Sequence, residues 1–271
     1  MINKTMDIWD GLTYAGEMTD KFRPTLTTYI RSGEKQRGLV VIYPGGGYGF
    51  TSPREAEPIA MAFNHAGYHA VVLNYSVAPR RHPQPVMDAA RALTIIKEHA
   101  VSWQVDLDQI FVIGFSAGGH LAASIANMSH DQWLNEVDGI NCGDLDLKGC
   151  ILSYPVLTGG PHRHAGSFDN LLGPGTSLEQ RAVMSMELLV TEHTPKTFLW
   201  HTVQDMAVPV ENSLLYAGAL RAKNVPFELH IYPEGQHGLS LCNEETANEP
   251  HQVMPHVAGW MQQCLEWMAS L

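Results

Sequence analysis

The sequence predicts one α/β domain built on a mostly parallel sheet with helices on both faces. Short β-rich apolar runs alternate with helical patterns along the chain. The runs are apolar on both faces, as strands buried between helical layers must be. No repeat, low-complexity tract or linker divides the 271 residues, so 1–271 reads as a single unit.

The strands are expected at 37–44, 69–76, 109–115, 149–156, 196–203 and 227–233. Each is rich in β-branched and aromatic residues, is too short for a helix and has Gly, Pro or Asp nearby. An earlier run, PTLTTYIR (24–31), alternates in polarity and suits an antiparallel edge. Helices are expected at 54–66, 85–103, 117–128, 178–190, 210–223 and 251–269. In the second of these, Val86, Ala89, Ala90, Leu93, Ile96 and Ala100 form one stripe, and Pro85 stands near the start, where a missing N–H does least harm.

Seventeen Lys and Arg against 28 Asp and Glu give a formal charge of −11, and no basic cluster interrupts that balance. Nucleic acid and anionic membrane surfaces are therefore poor partners, and a small or neutral molecule fits better. The N-terminal segment lacks a basic stretch leading into an apolar one, and no run of 18 apolar residues occurs, so a soluble cytoplasmic protein is expected. Four cysteines (Cys142, Cys150, Cys242, Cys264) contain no C-x-x-C pair and read as reduced structural thiols. His162 and His164 form an isolated cluster without partners at a metal-ligand spacing, and neither a metal nor a cofactor is expected.

The chemistry begins at GFSAGG (114–119), which directly follows the run QIFVI. A serine between a strand and an Ala-rich helix, with glycines at −2 and +2, has the context of a strained nucleophile elbow. Gly114 and Gly118 remove side chains that would collide at the crossing, and the following helix aims free N–H groups and its positive end at Ser116. A serine hydroxyl needs a base, and the base an orienting carboxylate, both downstream in this fold class. Asp205 lies in the loop after 196–203, and His237 lies in a Gly-flanked loop after the last strand. His201 and His230 fall within strands, His193 near a helix end, and His251 and His256 in the last helix. Glu211 belongs to a helix and Glu234 is too close to the histidine loop, so Asp205 is the better acid. His120, one turn beyond Ser116 on the same helix, is read as structural. For an oxyanion, the N–H of Ala117 is one expected donor, and the glycine triple Gly45, Gly46 and Gly47 in YPGGGYGF supplies the second source.

YPGGGY (43–48), LNYSVAP (73–79), HPQPVMDAARAL (82–93), GFSAGGHLAA (114–123), SFDNLLG (167–173), HTVQDMAVPVENS (201–213) and GQHGL (235–239) occur in one order. In these stretches the chain resembles the α/β-hydrolase superfamily over nearly its whole length, in particular the esterases of the hormone-sensitive-lipase and acetyl-xylan/feruloyl-esterase-like branch. The resemblance implies an α/β-hydrolase fold, with Ser116 as nucleophile, Asp205 as orienting acid and His237 as general base and acid. It also implies that Gly46 and Gly47 join Ala117 in the oxyanion site. The lipase branch usually has His before its glycines, whereas Pro44 stands here, which favours the acetyl-esterase-like branch.

The implied activity is metal-independent hydrolysis of short acyl esters, often those of acetylated sugars. Amide-directed hydrolysis on the same residues, as in a peptidase or arylformamidase, and ligand binding on a hydrolase shell are the alternatives. Tyr48, Tyr154, Trp200 and His201 stand at or beside strand ends, where either pocket lining or core packing suits them. The segment 157–195 is expected to form a small cap over the site.

Overall fold

Residues 2–14 and 22–271 are described in the computed structural model; residues 1 and 15–18 of the N-terminal segment read above for targeting lie outside them. Eight strands form one sheet: β1 (Thr5–Asp7), β2 (Thr25–Tyr29), β3 (Arg37–Tyr43), β4 (His69–Asn74), β5 (Val105–Phe115), β6 (Gly149–Ser153), β7 (Thr197–Thr202) and β8 (Phe227–Tyr232). Their order across the sheet is β1-β2-β4-β3-β5-β6-β7-β8. From β3 to β8 every pairing is parallel, while β1 and β2 run antiparallel.

The helices are α1 (Glu57–His65), α2 (Gln84–Trp103), α3 (Ala117–Met128), α4 (Gln132–Asn135), α5 (Ala165–Leu172), α6 (Leu178–Ala182), α7 (Glu211–Ala222), α8 (Pro255–Ala258) and α9 (Trp260–Ala269). None is long and apolar enough to cross a membrane among the described residues.

Alternation along β3 shows why the strands are apolar throughout. Leu39, Val41 and Tyr43 join a core with the α2 stripe, Leu121 and Ile125 of α3 and Leu220 of α7. Val40 and Ile42 point the other way, into a core with Ile59 and Phe63 of α1 and Trp260 and Trp267 of α9. Side chains of period two thus feed two apolar layers, and both faces are removed from water.

The helix expected over 54–66 begins only at Glu57, after a 3₁₀ turn at Pro53–Glu55, and three larger expectations change. The 24–31 strand is antiparallel but second from the edge, because Thr5–Asp7, three residues with no apolar run, pairs outside it. The helix expected over 178–190 is broken. Ser177 and Gln180 cap α6, and Met186 then gives its N–H to Leu157 while Ser185 Oγ accepts from Gly159, so the backbone turns away to serve the 157–159 strip. The terminal helix also divides, with a 3₁₀ turn at Pro250–Gln252 before α8 and α9; Pro250 and Pro255 each lack the N–H that would continue a preceding helix.

The parallel order brings the carboxyl ends of β3, β5, β6, β7 and β8 to one edge, where ligands bind in sheets of this kind. A depression of about 650 Å³, bordered by Asp108, Lys148, Lys196 and Pro226, lies at the opposite ends of the strands.

Candidate active site

Ser116 joins β5 to α3 with φ +53° and ψ −119°, a conformation strained for any side-chain-bearing residue. Its backbone is held by two long-range bonds, its N–H donating to Ser153 and its carbonyl accepting from Val156, and by the first helical bond from His120. The flanking glycines are sterically compulsory. A Cβ on Gly114 would lie 2.0 Å from the Gly118 oxygen, and one on Gly118 would lie 2.0 Å from the Tyr43 oxygen. The strand-to-helix crossing therefore has no room at −2 or +2.

The loops after β7 and β8 bring the other two residues to this turn. His237 Nε2 lies 2.7 Å from Ser116 Oγ, and His237 Nδ1 lies 2.6 Å from Asp205 Oδ2. With Nδ1–H donating to the carboxylate, the Nε2 lone pair faces the serine hydroxyl. Asp205 is buried, and its Oδ1 accepts the N–H groups of Ala207 and Val208 at 3.0 and 2.9 Å. Burial works against its charge, but hydrogen bonding from His201 and His237 and from the Val208 N–H outweighs it and holds the carboxyl well below the usual carboxylate range. Asp205 is therefore an anion wherever an imidazole base could act.

Gly46 and Gly47 share a cavity wall with Ser116, and Ala117 follows it in the chain. Gly45 to Gly47 turn sharply after β3, with the Gly46 oxygen receiving the N–H of Gly49 and Phe50. Gly46 has φ +130°, and a Cβ there would meet the Phe50 oxygen at 2.1 Å, so only glycine makes this turn. The N–H groups of Gly46, Gly47 and Ala117 have no acceptor among the described residues, and Ala117 opens α3. Such an array can receive negative charge.

A cavity of about 360 Å³ includes Gly46, Gly47, Glu55, Ser116, His164 and His237 in its wall. A second depression of about 510 Å³ is lined by His237 together with Gln204, Met206, Ala207 and Gln236.

Tyr48, Tyr154, Trp200 and His201 line neither space: all four are buried beneath the site. Tyr48 gives its hydroxyl to His120 Nδ1, and His120 Nε2 donates to the Met184 carbonyl, so His120 is held in the core away from the serine oxygen. Trp200 stacks on Trp260 with centroids 5.1 Å apart. Tyr154 packs edge-on against His237 at 5.1 Å. His201 lies behind Asp205, between Ser213 Oγ and the Val208 carbonyl. The ends of β6 and β7 put Tyr154, Trp200 and His201 in the floor of the site because their side chains point into the packed layers rather than out of the edge, while Tyr48 reaches the floor from the turn after β3.

Two further wall residues were not predicted as part of the site, Glu55 without any sequence signal and His164 noted only as one of an isolated histidine pair. Glu55, within PREAE, looks like part of a solvated helix start but is only 4% exposed. His164 N-caps α5, its Nδ1 accepting from the Ser167 N–H and Oγ–H, which leaves Nε2–H as the free donor at the cavity wall. Burial lowers its affinity for a proton, and the nearby His237 acts in the same direction. His162 is exposed, 4.0 Å from Glu211.

A family model described as the alpha/beta hydrolase fold matches residues 40–241. The chain is 37% identical over 243 residues to endo-1,4-beta-xylanase B of Butyrivibrio fibrisolvens, covering 88% of this chain and 38% of that protein. It is 27% identical over 268 residues to acetylxylan esterase of Xylanibacter ruminicola, covering 97% of this chain and 53% of that one. The chain thus spans between about two fifths and about half the length of these relatives. Among solved structures, the acetyl ester-xyloside bifunctional hydrolase from Caldicellulosiruptor lactoaceticus superposes with a TM-score of 0.89 at 36% identity, over 98% of this chain and 96% of that one. The carboxylesterase Cest-2923 from Lactobacillus plantarum WCFS1 gives 0.81 at 26% identity, over 99% and 96%. By sequence, by sheet order and by the elbow at Ser116, the chain belongs to the alpha/beta hydrolase family.

Proposed function

We propose that this protein is a serine carboxylesterase that hydrolyses short acyl esters, in particular acetyl esters of sugars or small alcohols, through an acyl-enzyme on Ser116. The observation that carries this reading is the hydrogen-bonded line from Ser116 Oγ through His237 to Asp205, at 2.7 and 2.6 Å. His237 Nε2 takes the hydroxyl proton as Oγ attacks the ester carbonyl carbon. The carbonyl oxygen becomes an oxyanion held by the N–H groups of Gly46, Gly47 and Ala117. Collapse breaks the bond to the alcohol oxygen, which takes the proton from His237. Water then gives a proton to His237 and attacks the acyl carbon, releasing the acid and restoring Ser116. Asp205 stays ionised throughout and keeps Nδ1 protonated.

Relatives named acetylxylan esterase and acetyl ester-xyloside hydrolase support an acetylated carbohydrate as substrate. The residues themselves favour ester cleavage over cleavage of the glycosidic bond. Glycoside hydrolysis generally needs two carboxyl groups flanking the bond. Here Asp205 is committed to His237, and Glu55 to Gly45 and Tyr154. The 157–195 segment acts as the cap, with His164 offering Nε2–H to the substrate. Four unpaired cysteines, all buried, suit a reducing compartment such as the cytoplasm.

Labelling with a serine-directed fluorophosphonate, read by peptide mass spectrometry, tests the nucleophile. Modification at Ser116, lost in Ser116→Ala, is expected; an unlabelled folded protein overturns the reading. Acetylated xylo-oligosaccharides assayed beside p-nitrophenyl esters, N-formylkynurenine and aminoacyl-proline amides then test the substrate class. Dominant amide turnover would replace it.

A further inference from the structure

Glu55 is a buried carboxylate with no cation bonded to it among the described residues. Burying such a group is costly unless hydrogen bonds replace the lost water. Its two oxygens do different work. Oε2 accepts the N–H of Gly45 at 2.8 Å, and Oε1 accepts the hydroxyl of Tyr154 at 2.6 Å. The Tyr154 hydroxyl in turn accepts the N–H of Ser240 at 2.9 Å.

The ends of this chain of bonds are the two moving parts of the proposed chemistry. Gly45 opens the turn that presents the N–H groups of Gly46 and Gly47, and its own carbonyl is tied to Ser52. Ser240 lies three residues past His237 in the histidine loop, where its Oγ donates to the Arg54 carbonyl and its carbonyl accepts from Trp260 Nε1. The Tyr154 ring meanwhile packs against His237. The charged and titratable groups facing Glu55 are Tyr154, Tyr75, Arg54 and His237.

We propose that Glu55 is a positioning residue that holds the glycine turn and the histidine loop in one register, through Gly45 on one side and Tyr154 and Ser240 on the other. The inference rests on the esterase reading above. Neither oxygen of Glu55 needs to touch the reacting atoms. A displacement near 1 Å of donors or base relative to Ser116 is enough to lower turnover about a hundredfold. The hydrogen bonds from Gly45 and Tyr154 offset the cost of burying the carboxylate, and they fix the distance between two loops that no backbone–backbone bond joins among the described residues.

Glu55→Gln keeps the shape but replaces one acceptor oxygen with an NH₂ group, so either Gly45 or Tyr154 loses its acceptor. Tyr154→Phe keeps the ring on His237 and deletes the hydroxyl. Steady-state hydrolysis of p-nitrophenyl acetate by wild type, both single variants and the double variant is the test, with fluorophosphonate labelling rates alongside. Each single variant is expected to lose about 10- to 100-fold in kcat while KM stays within about threefold, and labelling should slow in parallel. The double variant should fall no more than about threefold below the worse single variant, because one chain is broken once. Losses that multiply, a rise confined to KM, or a kcat within twofold of wild type overturns the proposal. Should Glu55→Gln fail to fold, Tyr154→Phe alone decides by the same kcat and KM criteria. A wild type that neither turns over ester nor labels at Ser116 removes the esterase reading, whereas an active wild type with unaffected variants removes only the role of Glu55.

Discussion

One oxygen of Asp205 faces two histidines: Oδ2 receives Nδ1 of His237 at 2.6 Å, while Nε2 of the buried His201 lies 3.4 Å from it. The first contact orients the His237 imidazole, and the second steadies the carboxylate from behind. Asp205→Asn should therefore lower kcat by about 10⁴-fold, because an amide at Oδ2 would force His237 into the wrong tautomer. His201→Phe should cost far less, about tenfold, since the Ala207 and Val208 N–H groups still hold Oδ1. Parallel steady-state kinetics on a short-chain ester separate the two.

The elbow glycines give a stability prediction with an internal control. Gly118→Ala puts a methyl 2.0 Å from the Tyr43 oxygen and 2.5 Å from the Pro44 oxygen, and neither backbone segment can yield without moving β3. A loss of about 3 kcal/mol or more is expected, with loss of esterase turnover. Gly218→Ala in α7 meets nothing within 4 Å and should instead stabilise by about 0.5–1 kcal/mol. Urea denaturation followed by circular dichroism measures both.

His120 provides a test of acid sensitivity. Burial pushes its pKa down to about 4, from the ordinary 6.5. The folded chain therefore binds fewer protons here than the unfolded chain between those values, and stability falls as pH drops from 6.5 toward 4. Integrated over that window, the loss is ~3 kcal/mol. His120→Gln can keep both bonds, accepting from Tyr48 and donating to Met184, while removing the titration. Its unfolding free energy relative to wild type should accordingly rise as pH is lowered from 7 to 4.5; a constant difference would contradict the assignment.

Acyl length should be limited by the same wall that holds Glu55. Each methylene placed against apolar surface is ordinarily worth about 0.8 kcal/mol. A buried carboxylate in the cavity wall withholds that gain and resists further desolvation. Acetyl and propionyl esters of p-nitrophenol are expected to exceed octanoyl esters in kcat/KM by about tenfold or more. A flat or rising series would show that longer chains take another route, past Met206.

Much of the architecture was legible in the sequence because it depends on local periodicity. Apolar runs at 37–44, 69–76 and 109–115 became β3, β4 and β5, and the α2 stripe packs into one core as its spacing required. The short Thr5–Asp7 strand had no such signal, since three residues of mixed polarity gain their pairing only from β2. Helix continuity at 178–190 failed for the same reason in reverse: the 157–159 backbone, distant in sequence, competes for the groups that a longer helix would use.

At the site, spacing located the turn at Ser116 and put Asp205 and His237 in loops after later strands, because strand–helix alternation dictates which loops gather at one sheet edge. Spacing could not locate Glu55, whose partners stand 10 and 99 residues away, or the burial of Tyr48, Tyr154, Trp200 and His201 in the floor. The sequence by itself determined the alternating elements, the compulsory glycines of the elbow and the order in which the three site residues follow their strands. Only the tertiary structure decided which polar groups are buried and what each is bonded to. Those pairings depend on the register of distant segments, and a carboxylate reads the same in sequence whether water or a tyrosine hydroxyl receives it.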